Sequence, residues 1–338
     1  MVSGLKYVGV FICAAVVILM TAWGALAIWY SNLSEGYVRA GLAGLFVLAT
    51  LLAFIFLSGR LRTLAGFLVV FAGIVAWWLT IPASNDRNWQ ADVAVLPYAT
   101  VEGEQVTIYN IRNLNYRTET DYDVRYYDKT FDLDRLDSVD LIAVYWMGDA
   151  IAHVMISFGF QEKDFVTFSI ETRKELGEEY STLKGFFKQY ELIFIAGDER
   201  DLIRVRTDYR KPPEDVYLYR SRMTPENSRK FFMEYVRQIN SMKENPKWYN
   251  TLTTNCTTDV VRLIRGFGGR ARYNWKVLLS GYAPQYAYEQ GSLDTRIPFE
   301  DLRKLSYINP KAVALGDDPE FSRKIRAGLP RMQSNSNW

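Results

Sequence analysis

Two side chains in this sequence have the chemistry of a nucleophile and its base. His153 is the sole histidine, and Cys256 is one of two cysteines, the other being Cys13 in an apolar run near the N-terminus. Cys256 stands in Asn255-Cys256-Thr257-Thr258-Asp259, directly before the apolar Val260, Val261, Leu263 and Ile264. Asn and Thr are N-cap residues, so the segment predicts a helix with the cysteine in its first turn. There the unpaired N–H groups and the positive end of the helix dipole favour thiolate, the nucleophilic form. Taken alone, a single cysteine is more often a small buried hydrophobe.

His153 changes the weighing. In Ile151–Phe160 the even positions Ala152, Val154, Ile156, Phe158 and Phe160 are all apolar, which sets His153, Met155 and Ser157 on the opposite face of a strand. In Phe165–Arg173, Val166, Phe168 and Ile170 are again apolar, leaving Thr167, Ser169, Glu171 and Arg173 on the face of His153. Matching the core faces of a hairpin requires a loop of odd length. A three-residue loop, Gln161–Lys163, sets His153 opposite Glu171, whereas a five-residue loop sets it opposite Arg173 with Glu171 diagonal. Either leaves a carboxylate near enough to orient the imidazole and stabilise its charged form. Glu171 is therefore expected as the orienting residue, with Ser169 second. Asn255 and Arg173 are candidates for substrate contact. The plainer alternative is a histidine on a solvated sheet face.

The elements that must position these residues follow a long apolar region. Tyr7–Tyr30, Ala40–Leu57 and Leu64–Ile81 contain no charge and are each long enough to cross a hydrocarbon core about 30 Å thick. Trp29, Tyr30, Trp77 and Trp78 lie near the ends of these runs, where amphipathic rings favour the headgroup layer. Lys6, Arg60 and Arg62 flank one side of the predicted spans and only Glu35 lies in the link on the other. The positive-inside rule then places the N-terminus inside and everything after Pro82 outside. Ala25-Leu26-Ala27 has the form of a signal-peptidase site, but the apolar stretch before it exceeds a usual signal-peptide core, and cleavage there would still leave two spans and an exported domain.

The division expected is thus residues 1–82 as a three-helix membrane anchor and 83–338 as one α+β domain, long enough for a sizeable core. Within it the sequence predicts a hairpin of Ala91–Ala99 with Gln105–Asn110, and further strands at Val139–Trp146, Glu191–Ala196, Leu202–Thr207 and Val216–Arg220. A helix opens at Thr224-Pro225 and runs to about Lys243, and a second runs from Asn255-Cys256 to the glycines at 266–269. Of 40 basic and 38 acidic residues, setting aside Lys6, Arg39, Arg60, Arg62 and Glu35 leaves the exported part nearly neutral, so a basic face for nucleic acid is not expected. Two cysteines exclude a disulfide framework and a cysteine-rich zinc site, and the chemistry expected calls for no metal or cofactor.

A cysteine heading a helix, a histidine on a strand and a polar partner on the next strand form the arrangement of papain-like thiol enzymes. Here the histidine precedes the cysteine, as in the circularly permuted, NlpC/P60-like members. Longer stretches are more specific: Ala152–Phe160, Ser169–Arg173, Gly197–Asp201, Arg206–Arg210, Val216–Arg220 and Tyr249–Thr258 together resemble the Lnb N-terminal periplasmic domain family over roughly Tyr109 to Gly268. The resemblance implies bacterial lipoprotein N-acylation, in which an acyl chain from a phospholipid is placed on the amino group of a lipoprotein N-terminal cysteine. Cys256 would then be the nucleophile and His153 its base, in an inner-membrane protein with a periplasmic C-terminal domain. Its partners would be the bilayer, a phospholipid acyl donor and a lipoprotein or other amine acceptor. Family members carry membrane spans after this domain, whereas here three apolar runs precede it. A thiol hydrolase, acting as a cell-wall peptidase or amidase or as a phospholipase, would use the same pair. A noncatalytic periplasmic scaffold would need neither residue. For topology, a reporter fused after Trp338 is expected to be active only if it functions in the periplasm; activity of a cytoplasm-only reporter there would overturn the orientation.

Overall fold

The computed structural model describes residues 2–330, with side chains from Tyr7; residues 331–338 of the expected exported domain and the Lys6 side chain lie outside them. The chain divides into two compact units, Met1–Ser84 with Ser181–Gln189, and Asn85–Tyr180 with Tyr190–Trp338.

In the first unit the three apolar runs form helices α1 (Val2–Trp29), α2 (Gly36–Phe56) and α3 (Arg60–Thr80), each long and apolar enough to cross a membrane. Gly24 lets α1 meet α2 closely, since a Cβ there would lie 2.8 Å from the Phe46 ring. Trp23 packs edge-on against Phe71 and Trp78. Residues 181–189 join this unit because they supply what the helix ends lack. The last carbonyls of a helix have no intrahelical donor. The Lys188 ammonium donates to the Trp78, Leu79 and Ile81 carbonyls at 2.9, 3.2 and 3.0 Å, and Gln189 donates to the Tyr30 carbonyl at 2.7 Å.

The second unit is α+β and is built on an eight-stranded sheet. Its strands are β1 (Tyr98–Glu102), β2 (Gln105–Arg112), β5 (Tyr126–Asp132), β6 (Leu136–Tyr145), β7 (Ala152–Phe160), β8 (Asp164–Arg173), β9 (Glu191–Gly197) and β10 (Asp215–Arg220), while β3 (Asn115–Tyr116) and β4 (Tyr122–Asp123) form a small separate hairpin. The order is β1-β2-β9-β8-β7-β6-β10, with β5 also paired to β2. β7 and β8 pair through Phe160↔Asp164 and Met155↔Ser169. The turn between them is therefore the three-residue one. Gln161 and Glu162 both take left-handed backbone conformations there, at φ 53° and 52°.

Helices cover both faces of the sheet. After a short turn, α4 (Glu199–Leu202), the chain adds α5 (Pro225–Glu244), capped by Thr224, and α6 (Cys256–Gly266); short helices α7 (Trp275–Leu278), α8 (Ala283–Glu289), α9 (Phe299–Ser306), α10 (Asn309–Leu315) and α11 (Phe321–Ile325) follow. The even face of β7 and β8 packs with α5 and α6 in an aromatic core, where Phe168 stacks on Tyr235 at 4.7 Å and Phe158 meets Phe232 at 5.1 Å. The odd face is not solvated. Met155, Ile142, Ile193 and Ile195 form a second core there with Ile308, Ala312, Phe321 and Ile325 of the C-terminal segments.

Two expected strands are corrected. Ala91–Ala99 is extended only from Tyr98, because Ala91–Val95 turns so that the Val93 and Ala94 carbonyls accept the Arg173 guanidinium at 2.9 and 2.7 Å. Leu202–Thr207 is helical: Asp198 caps the N-terminus of α4 by accepting from Arg200 N–H, and the chain continues into a wide turn, Val205–Tyr209, closed by Arg210 N–H on the Val205 carbonyl. The alternation in Leu202–Thr207 extends over only six residues, too short to decide between strand and helix.

The odd face also buries an ion network. Arg326 donates to Asp140 at 2.7 Å and to both Glu199 oxygens at 2.6 and 2.8 Å, with Asp140 and Glu199 almost inaccessible to solvent. Arg326→Met is expected to leave the buried Glu199 without its cation, while Asp140 keeps Arg220, and to lower stability by about 3–5 kcal/mol, measured by denaturant unfolding; adding Glu199→Gln should recover part of the loss.

Candidate active site

Cys256 is the first residue of α6, and Asn255 is its N-cap. The Asn255 Oδ1 accepts from the Thr257 and Thr258 N–H groups at 3.0 and 2.9 Å, while Thr258 Oγ1 accepts from the Asn255 N–H at 2.9 Å. This is a capping box, which fixes both the start of the helix and the placement of the cysteine. The Asp259 N–H is taken by the Asn255 carbonyl. The Cys256 N–H has no acceptor among the described residues. Thr257 Oγ1 also donates to the Val277 carbonyl at 2.8 Å, tying α6 to α7.

His153 is the second residue of β7, and a neighbouring segment pins the entry to that strand. The Ala152 N–H donates to Ser280 Oγ at 3.0 Å, the Gly281 N–H to the Ala150 carbonyl at 3.0 Å, and the Tyr145 hydroxyl to the Gly281 carbonyl at 2.7 Å. Gly281 is needed for this contact, because a Cβ there would sit 2.0 Å from the Asp149 carbonyl oxygen. The β7–β8 register, continued two residues, sets His153 across from Glu171.

Ser169 stands between them. His153 Nε2 is 2.7 Å from Ser169 Oγ and 3.5 Å from Glu171 Oε1, and Ser169 Oγ donates to Glu171 Oε1 at 2.6 Å. A serine hydroxyl has one proton. With that proton on the carboxylate side, Ser169 accepts from His153 Nε2–H, and the neutral imidazole keeps its free lone pair on Nδ1. The Cys256 thiol is also within hydrogen-bonding reach of the ring. With Nε2 engaged by Ser169, Nδ1 is the ring nitrogen left to accept a proton from the thiol. Cys256 and His153 meet because each lies at the end of its element, although α6 packs on the even face and Ser169 and Glu171 project from the odd one.

Arg206 completes the chain of charges. It is 5% exposed, lies in the wide turn and approaches Glu171 at 3.3 Å and Glu214 at 3.5 Å. Burial would push the Glu171 carboxyl up, but the hydrogen bond and charge of His153, with the charges of Arg206 and Arg112, hold it well below the usual carboxylate range. Burial likewise disfavours the charged imidazole. Hydrogen bonds to Cys256 and Glu171 outweigh burial and the repulsion of Arg206, so the His153 pKa is raised. Such a group stabilises the fold fully below its unfolded pKa, and the contribution is lost as pH rises through the folded one.

The structure brings Cys256, His153, Ser169 and Glu171 together. It assigns Asn255 and Arg173 to other work. Asn255 is 7% exposed and spends both ends of its amide on capping and on the Thr251 carbonyl. Arg173 is 3% exposed, binds Val93, Ala94 and Asn85, and lies over the Trp89 ring at 4.2 Å. Neither is free to meet a substrate. Arg206 and Ser280 were not legible as site residues: Arg206 sits in a stretch whose alternation predicts a strand, and Ser280 lies 127 positions after His153 with no local motif.

An α+β domain with a half-buried Cys–His pair, following in sequence three helices long enough to span a membrane, defines a membrane-anchored thiol-site protein. The family model of the Lnb N-terminal periplasmic domain matches residues 122–305, more than half of the chain, and the chain belongs to that family. It is a multi-pass inner-membrane protein with a periplasmic C-terminal domain. No curated protein and no solved structure matches the sequence.

The single histidine makes the electrostatics directly observable. In the untagged, histidine-labelled protein the imidazole resonance should titrate above the value of about 6.5 for an unperturbed histidine. Glu171→Gln should lower its midpoint, and Arg206→Gln should raise it. A midpoint insensitive to both variants would refute the charge chain.

Proposed function

We propose that this protein is a membrane-anchored thiol acyltransferase that moves an acyl chain from a phospholipid, through a thioester on Cys256, to an amine. The observation that carries this reading is the continuous relay from Cys256 through His153 and Ser169 to Glu171. His153 Nδ1 takes the thiol proton and Sγ attacks the ester carbonyl. The tetrahedral oxyanion lies against the Cys256 N–H at the positive end of α6. Collapse breaks the ester C–O bond, and the imidazolium returns the proton to the departing lysophospholipid oxygen. The acceptor amine then attacks the thioester and loses a proton to His153, which passes it to the departing Cys256 sulfur. Ser169 and Glu171 hold the imidazole and its charge throughout.

A lipid substrate is favoured by exposed apolar side chains on the segments that adjoin β7 and α6 in the chain. Trp146 and Met147, in the loop leading to β7, are 47% and 67% exposed, and Trp275 and Leu278 of α7 are 56% and 39% exposed. Large exposed apolar side chains grouped at a site are a recurrent mark of contact with apolar partners. The N-terminal cysteine of a lipoprotein is our first candidate for that amine.

Mass spectrometry of the purified protein incubated with phospholipid should find a hydroxylamine-labile acyl adduct on Cys256. Cys256→Ser and His153→Ala should each abolish the adduct in a folded protein, and Cys13→Ser should retain it. Glu171→Gln should slow acylation by on the order of 10²- to 10⁴-fold. Release of free fatty acid in place of N-acyl product would mark a hydrolase, and normal turnover by Cys256→Ser would end the thiol reading.

A further inference from the structure

The second unit contains a cavity of about 760 Å³ between the even face of the sheet and α6. Its walls include Leu141, Val154, Ile156, Val260, Ile264 and Phe267. Protein interiors are normally packed with few voids larger than a water molecule. This volume falls instead in the range of about 300–1,000 Å³ found for small-molecule sites.

Its wall includes the residues that directly follow His153 and Cys256, although not those two side chains themselves. Val154 follows His153 on β7, and Thr257, also in the wall, follows Cys256 on α6. Val260 and Ile264 lie one and two helical turns beyond Cys256, on the same stripe of the helix. From that end the cavity runs along the strands to Val139, which pairs with Phe158 on β7 and whose carbonyl accepts from the Ser221 N–H. The far end carries the exposed Ser292 and Thr295. Along α6, Thr257 to Phe267 spans about 15 Å. Along β7, His153 to Phe158 spans a similar length, about 16 Å.

We infer that this cavity is an acyl-chain site, holding one linear hydrocarbon chain with its carbonyl at Cys256 and its terminus toward Val139 and Leu293. The inference rests on the thiol reading of Cys256 and adds where the donor's chain is held. One chain of a phospholipid spans half of a hydrocarbon core about 30 Å thick, or about 15 Å, which matches the length of the cavity. Apolar side chains make up most of the wall and suit a hydrocarbon chain, while polar groups in the same lining, among them Arg222, Asn227, Arg270 and Gln290, can meet the polar part of a lipid. Holding the chain along this wall keeps the ester carbonyl near the nucleophile.

Two measurements on the full chain in phosphatidylethanolamine–phosphatidylglycerol bilayers test this. First, Cys256→Ser protein is irradiated with a phospholipid carrying a diazirine at one acyl terminus, and crosslinked peptides are mapped. Labelling within Val139–Leu141, Ile264–Phe267 or Leu293 is expected. Labelling confined to α1–α3 and to exposed surface would overturn the site. Second, Cys256 labelling by palmitoyl and by acetyl p-nitrophenyl esters is compared in the wild type and in Ile264→Trp and Ala287→Trp, which narrow the cavity from opposite walls. The palmitoyl-to-acetyl ratio should fall at least about tenfold in each variant that retains the wild-type melting temperature. An unaltered ratio in both would overturn the inference. If neither ester labels Cys256 while the photolabel still marks the cavity, the chain site stands and the thiol reading fails.

Discussion

The site depends on the pairing of β7 with β8 across a three-residue turn. That register sets Ser169 and Glu171 beside His153, and it is held by matter far from the chemistry. Val166, Phe168 and Ile170 on β8, and Ile156 and Phe158 on β7, fill the core under α5. A slip of one residue would turn these side chains out of the core and drive the serine and glutamate into it. On the odd face these side chains would meet the buried charges and lose their aromatic packing. The aromatic core therefore enforces the geometry of a polar site on the other face of the same strands.

The two faces of the sheet solve different problems. On the even face, rings of Phe158, Phe168, Phe231, Phe232 and Tyr235 pack with one another and carry no charge. On the odd face, the charges are buried in pairs. Arg326 joins Asp140 to Glu199, Arg112 binds Asp201 through both carboxylate oxygens at 3.0 Å, and Arg206 links Glu171 to Glu214. An isolated buried carboxylate would neutralise itself by taking up a proton. Within this lattice Glu171 remains ionised, and an ionised Glu171 is what keeps Ser169 oriented as an acceptor for His153 Nε2–H.

The thiol approaches from a separate element and is placed by backbone capping. Asn255 consumes the N–H groups of the second and third helical residues, and that of Cys256 has no acceptor among the described residues. The same helix then continues as one wall of the cavity, so Cys256 and the apolar Val260 and Ile264 share one rigid axis. Sites carried on helices and strands hold their geometry more closely than sites on loops.

Much of this was written locally in the chain. Three apolar runs, the cap at Asn255, the alternation that puts His153, Ser169 and Glu171 on one face, and the odd-length turn all depend on residues within one or two elements. Periodicity and capping are local physics, so the sequence by itself determined the anchor, the helix bearing Cys256 and the His153–Ser169–Glu171 group. It left two turn lengths open, and it ranked Glu171 ahead of the serine that directly contacts the imidazole. Tertiary structure decided the rest. Arg173 shares the parity of Glu171, yet lies two residues farther along β8, where carbonyls of the Ala91–Val95 turn capture it. Arg206 reaches Glu171 only because the chain turns helically after Asp198, and the odd face is buried only because residues from Ile308 onward return to cover it. Such contacts join positions tens to well over a hundred residues apart, and no local pattern encodes them; they exist once the core has brought the strands and helices together.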